Sequence, residues 1–358
     1  MKVRWTLGIL IIYTLLFVNV DKLVAEETWT QRADMPTARS SFSACIVNGK
    51  VFVIGGAIDR FGDISISIVE MYDPKTDTWE RKADMPTARV GPSAAVVDGK
   101  IYAIGGSEMK KFRVGPGWGY SVKLLATVEM YDPATDTWIK KADMPAPRSG
   151  SSCVVDGKIY LIGGAKEKQH RLENVEVYDP STDTWARAKS MNHARAGAAI
   201  SVVDGQIYVM GGVGWPQIPN HPGPFLSSVE VFNPKTNRWS EKRDMPAPKS
   251  GHTASVIDGK VYVIGGGFRG NGLYTYLSTV EIYDPKTDRW TQEPDLPIAK
   301  SGHEAIVING AIYVFGGNSD GGKNPLVTVE AYGAAEIFQS VDPAGKLVKT
   351  WGAIKTRR

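Results

Sequence analysis

The chain has 358 residues, 42% of them hydrophobic and 22% charged, with a formal net charge of +4. That balance excludes disordered and fibrous classes. Residues 1–25 supply +2 of the charge (Lys2, Arg4 and Lys22 against Asp21), so the remainder carries about +2 and overall charge does not point to nucleic acid.

Lys2 and Arg4 precede an apolar run from Trp5 to Val20, after which Leu23-Val24-Ala25 meets Glu26-Glu27. Basic head, apolar stretch, small residue and polar start are the layout of a secretory signal peptide over residues 1–25. The run also approaches the length that spans a bilayer, so an uncleaved anchor is the rival reading. The expected location is secreted or periplasmic, with no stable membrane insertion once the segment is cut.

From there one paragraph of sequence recurs six times. Double glycines begin at Gly55, Gly105, Gly163, Gly211, Gly265 and Gly316, at intervals of 50, 58, 48, 54 and 51 residues. Units that lack cores of their own must stack into one body. Within a unit the first strand ends at an Asn-Gly or Asp-Gly hairpin turn: Asn48, Asp98, Asp156, Asp204, Asp258 and Asn309. The second strand ends at the double glycine, where side chains would block close backbone approach. The third carries Val-Glu-x-Tyr-Asp-Pro, and its proline closes the strand. The fourth begins near a tryptophan, so four short antiparallel strands make one blade. The aspartate of Tyr-Asp-Pro reads as part of the turn.

The glycine doublets, the aromatics Tyr72, Tyr131, Tyr178, Phe232 and Tyr283, and Trp79, Trp138, Trp185, Trp239 and Trp290 seven residues later resemble the kelch-repeat family. The resemblance covers about residues 28–340 and implies an all-β, six-bladed propeller over 26–340, since only a closed ring gives every blade two neighbours. Residues 341–358 are left as a C-terminal strand or tail. Closure has two candidates. Either the strand at Trp29 completes blade six, or the segment Lys346 to Ile354 does; the standard spacing of ten from Trp29 to Arg39 favours the former. Cys45 and Cys153 hold equivalent places two repeats apart, too far for a disulfide, and are expected as buried free thiols.

Ten residues after each tryptophan stands a cation: Arg39, Arg89, Arg148, Arg195, Lys249 and Lys300. Each opens the innermost strand of its blade, so six cations are expected around one mouth of the central channel. Kelch domains that bind acidic peptides use arginines at this position, so the resemblance implies a carboxylate or phosphate partner, which guanidinium suits. An equally regular set, Glu70, Glu129, Glu176, Glu230, Glu281 and Glu330, could instead consume the cations in ion pairs.

Individuality lies in the inserts between strands two and three. Ser107–Thr127 contains Lys110, Lys111, Phe112, Arg113, Trp118, Tyr120 and Lys123; Val213–Ser228 contains Trp215, His221 and Phe225; Gly267–Thr279 contains Phe268, Arg269, Tyr274 and Tyr276. Exposed aromatics beside cations suit peptides, sugar rings or acidic glycans. The alternative is that these aromatics pack their own loops. His252 and His303 are equivalent residues in neighbouring repeats and read as packing, not metal ligation; no cofactor is expected, and no phosphate loop or Gly-x-Ser-x-Gly turn is present.

Two functions are therefore carried forward. The first is an exported module binding an acidic peptide, protein or glycan on the loop-bearing face. The second rests on fold analogy alone: a periplasmic six-bladed kelch protein interconverts sialic acid anomers, and no residue here matches its active site by motif.

Overall fold

The computed structural model describes residues 28–59, 64–114, 117–166, 170–215, 223–270, 273–319 and 325–333. The signal-like segment 1–25, the segment 341–358 and His221 lie outside these residues. Among the described residues the fold is all-β: six four-stranded antiparallel sheets, each a blade. Blade one runs Ser43–Val47, Lys50–Ile54, Val69–Asp73 and Thr78–Lys82, from the axis outward. Each innermost strand touches that of the next blade, and the first touches the sixth, so the ring is closed.

Blade six takes Glu304–Ile308, Ala311–Phe315 and Val329–Tyr332 from its own repeat. Its outer place is filled by Trp29–Arg32, paired from Trp29↔Tyr332 to Arg32↔Val329. The chain is thus joined to itself across one sheet, and opening the ring requires breaking a strand pair.

The core lies between blades, not within them. Val53 and Tyr72 of blade one pack with Phe315 and Val329 of blade six, while Ile54 and Val69 pack with Ile101 and Tyr131 of blade two. Fully burying each such side chain contributes roughly 1.5–3 kcal/mol, realised only when the neighbour is present.

The seven-residue step from tyrosine to tryptophan has a direct cause. Tyr72 and Trp79 are cross-strand partners with ring centroids 5.0 Å apart. The Trp79 indole then donates to the Ala33 carbonyl (2.9 Å), and the Asp77 carboxylate accepts from the Ala33 N–H (2.9 Å) and the Tyr72 hydroxyl (2.6 Å). One residue of the preceding blade is held at both backbone atoms. The clamp recurs with Trp138, Asp136 and Ala83, and with Trp290, Asp288 and Arg243. In blade six, among the described residues, Tyr332 donates to Glu293 and Trp29 to the Pro294 carbonyl. The Thr-Asp segment is therefore an inter-blade fastener as well as a turn, with Asp77 at φ 55°.

The double glycine fastens the opposite end. The Gly106 N–H donates to the Arg148 carbonyl of the next blade at 3.0 Å. A Cβ at Gly105 would sit 2.3 Å from that carbonyl, and Gly105 has φ 58°, so only glycine fits. Both cysteines are free; Cys45 is buried, but Cys153 is only partly buried, a correction to the expectation that both are buried. Desolvation pushes both thiols well above the ordinary thiol range.

Candidate functional site

The six cations were expected at the channel mouth, and their side chains are not there. All are at most 2% exposed, and each is paired with its blade's glutamate: Arg39–Glu70 at 2.5 Å, Arg89–Glu129 at 2.6 Å, Arg148–Glu176 at 2.8 Å, Arg195–Glu230 at 2.7 Å, Lys249–Glu281 at 2.7 Å and Lys300–Glu330 at 2.6 Å. The fork geometry shows why arginine suits the place. Arg89 Nη1 donates to the Gly105 and Thr127 carbonyls (3.0 and 3.1 Å) while Nη2 donates to Glu129. One guanidinium joins strands one, two and three. Desolvation lowers the Arg39 pKa to about 10, opposed by Glu70, so the guanidinium stays charged at neutral pH. The ring of Arg39, Arg89, Arg148, Arg195, Lys249 and Lys300 is consumed inside the blades, and the expectation that it meets ligand is corrected accordingly.

What lines the mouth instead is backbone. Two residues past each cation lies Ser41, Gly91, Gly150, Gly197, Gly251 or Gly302. Five of these, all but Gly150, have φ between 51° and 65°. They hydrogen-bond from blade to blade: Gly251 N–H to the Gly197 carbonyl (3.1 Å), Gly302 to Gly251 (2.9 Å), Ser41 to Gly302 (2.8 Å) and Gly91 to Ser41 (2.7 Å). Blade three departs from the belt: its first strand is irregular between Ser149 and Ser151, and the Ser149 hydroxyl donates to the Gly91 carbonyl.

Within this rim the channel holds a cavity of about 340 Å³ lined by serines, threonine, glycines, alanines and one carboxylate, Glu304. The place of Glu304, opposite Phe315 on strand two, is held by Ser43, Ser93, Ser151, Ala199 and Thr253 in the other blades. Desolvation pushes its carboxyl up to about 8. Motif spacing did not single it out, but aligning the six repeats against one another exposes it as the residue that breaks a small-residue column. His252 and His303 also border the channel, yet their ring Cε1 atoms lean on Gly211 and Gly265 of the preceding blade, as Phe42 leans on Gly316. Burial pulls both imidazoles down to about 3, so they are neutral packing groups.

The inserts supply the exposed chemistry. Ser107–Val114 and Gly117–Leu124 form a hairpin in blade two, tied at its base to blade one through backbone contacts of Met109 with Ser65. Lys110, Lys111, Arg113 and Lys123 against Glu108 give it a net charge of +3. Cross-strand pairing puts Lys111 with Tyr120 and Arg113 with Trp118 on one face. The Arg113 guanidinium lies 4.7 Å and the Lys111 ammonium 4.8 Å from the Trp118 ring centre. Trp118 is 54% exposed and Phe112 and Tyr120 nearly as much, so they do not pack inward.

Opposite, in blade five, Gly267–Gly270 and Leu273–Tyr276 form a shorter hairpin pairing Arg269 with Tyr274. Arg269 is exposed, while the Tyr274 hydroxyl bonds Ser301 at 2.9 Å and its ring stands edge-on to Tyr276 at 5.0 Å. Trp215 is 44% exposed and sits edge-on to His170 at 4.4 Å. The structure thus brings Arg113, Trp118 and Tyr120 together in blade two and pairs Arg269 with Tyr274 in blade five, while Trp215 belongs to the insert of blade four.

Comparison with known proteins agrees with this architecture. A family model for the KLHDC2/KLHL20/DRC7 Kelch-repeats domain matches residues 13–212 and 121–317. Spermatocyte protein spe-26 of Caenorhabditis elegans is 29% identical over 193 residues, 53% of this chain and 33% of that one. Kelch-like protein terF of Aspergillus terreus is 28% identical over 219 residues, 58% and 47% of the two chains. These alignments span less than half of either relative. A solved structure of YjhT superposes with a TM-score of 0.68 over 82% of this chain and 95% of that one, at 19% identity, a likeness of fold.

Two outcomes follow from the buried charges. Arg89→Ala removes the cation that faces the buried Glu129 carboxylate and should cost about 3–5 kcal/mol in unfolding free energy; Arg89→Ala with Glu129→Ala should cost less than the two single changes summed, as a double-mutant cycle would show. The Glu304 proton is held by the folded chain between 4.5 and about 8, a range in which the unfolded chain has released it. Its contribution to stability therefore falls as pH rises through that window. Glu304→Gln should melt like wild type near pH 4.5 and be more stable at pH 8 by several kcal/mol, at most about 5. An equal difference at both pH values would contradict the assignment.

Proposed function

The chain belongs to the kelch-repeat family, and from that premise we propose that it is a binding module whose blade-two hairpin takes an acidic protein segment. Kelch propellers are in general protein-interaction modules. One observation carries the choice of partner. The repeated cations are spent in the blades, whereas Lys111 and Arg113 stand in solvent around Trp118 on a projecting ribbon. Carboxylates can be received by the two cations while an adjoining side chain covers the ring, and Arg113 can make paired hydrogen bonds to one carboxylate. Trp118 and Tyr120 contribute contact area at small cost in side-chain entropy.

A glycan partner is the second reading, favoured by the exposed ring of Trp215 and the Tyr274–Tyr276 pair, faces on which sugar rings stack. A third reading, sialic acid anomer exchange, would need an enclosed site, for which the channel is the candidate. It would have to place an anionic sugar beside Glu304 with no cation among the described lining residues, so the binding reading has the better physical support.

A fluorescein-labelled deca-glutamate peptide followed by anisotropy tests the hairpin. Binding should weaken about tenfold in Arg113→Ala and in Trp118→Ala, a loss of about 1.4 kcal/mol, and should fall as salt rises. Unchanged affinity in a folded Lys111→Ala, Arg113→Ala, Trp118→Ala variant would sink the proposal. A sulfated oligosaccharide bound through Trp215 and indifferent to those changes would favour the second reading.

Export belongs to the same proposal, resting on the charge and hydropathy order of residues 1–25. Expression with a secretion-competent host should yield a mature chain beginning at Glu26 by mass spectrometry; retention of Met1 in the recovered protein would count against cleavage.

A further inference from the structure

We propose that the central channel is a second binding site, for small primary ammonium compounds, with the ammonium resting on the Glu304 carboxylate and on lining hydroxyl oxygens. It is independent of the hairpin, since the residues are different and lie on the axis.

The first support is composition. Among the described residues around the 340 Å³ cavity, Glu304 is the one carboxylate and there is no lysine or arginine. An anionic ligand would find no counter-charge there. A neutral polyol would be served by the serine that blades one to three carry at this place, without the cost of burying a carboxyl.

The second support is the direction of the lining hydrogen bonds. The hydroxyls of Ser43 and Ser151 donate to the Pro92 and Ala198 carbonyls of the next blade, at 2.7 and 3.0 Å, and Ser149 donates to the Gly91 carbonyl at 3.0 Å. With these protons committed, what these three hydroxyls still offer is oxygen lone pairs. A ligand that answers a carboxylate and a set of acceptors must be rich in donors and positively charged, which describes an ammonium with its three N–H groups.

The third support is the state of the carboxyl. It is held protonated up to about 8 by desolvation, so seating a cation there releases the proton: the acid becomes a carboxylate, the ammonium is unchanged, and one proton leaves to solvent. The neighbouring titratable groups do not share that exchange. Cys45 is pushed up by burial and then by Glu304, His252 and His303 are pulled down to about 3, and Lys300 is paired with Glu330.

Calorimetric titration of the full chain with ethanolamine at pH 7 tests the site. Ethylene glycol, of the same shape without charge, and tetramethylammonium, charged without N–H donors, serve as controls. Ethanolamine should bind saturably and at least tenfold more tightly than either control, and comparison of two buffers should show close to one proton released per ligand. Glu304→Gln and Glu304→Ser should each weaken binding at least tenfold. Serine already occupies this place in blades one to three, so the second variant keeps the fold, which its melting curve checks. Absence of saturable ethanolamine binding, equal binding of tetramethylammonium, or affinity unchanged in both variants would overturn the proposal.

Discussion

A cation opens the innermost strand of every blade and meets, on the third strand of the same blade, a glutamate almost wholly out of water. Neither charge could be left there alone, because an uncompensated ion in the blade interior costs several kcal/mol. Each pair therefore ties the entry of strand one to strand three, and arginines such as Arg39, Arg89 and Arg195 also reach the end of strand two. The backbone carbonyl of the same cation receives the second glycine of the preceding blade, as Arg148 receives Gly106. One residue per repeat thus acts within its blade through the side chain and between blades through the main chain.

At the other end of the blade the Tyr-Trp pair and the aspartate of the Thr-Asp turn perform the matching task, gripping Ala33, Ala83 or Arg243 by both backbone atoms. Together the two fasteners explain why the repeat tolerates long inserts after the double glycine. The insert leaves and returns between positions that are already held, so the hairpin of blade two can project without loosening the ring. A ring held this way uses up its repeated residues. What remains for recognition are the places where one repeat differs from the other five: the cationic ribbon at Lys111, Arg113 and Trp118, and the carboxyl at Glu304.

The blade count, the strand order and the six hairpin turns were legible because each rests on local chemistry: positive φ at Asn48 and Asp98, proline after Tyr-Asp, and alternation along strands three. The aromatic ribbon was legible as an insert too, since Trp118 and Tyr120 stand among lysines in a segment with no counterpart elsewhere. The destination of the six cations was not. Arg39 and Glu70 are 31 residues apart, and a pattern that repeats six times is equally consistent with a ligand-facing ring and with internal pairing. Glu304 was passed over for the complementary reason: a single glutamate at the start of an apolar strand carries no motif.

Sequence by itself determined the ring, since units of about 50 residues with two apolar faces can satisfy both only in a closed circle, and it located the inserts that differ. Tertiary structure alone decided where the charges went. Desolvation forces each inner cation onto a glutamate, which removes all six from the channel mouth, while the backbone belt at Gly197, Gly251, Gly302, Ser41 and Gly91 forms the rim in their place. It also closed blade six with Trp29–Arg32, a pairing across some 300 residues of chain, and put an unpartnered carboxyl on the axis. Those outcomes depend on which groups lose water together, and that is settled only when the blades are packed.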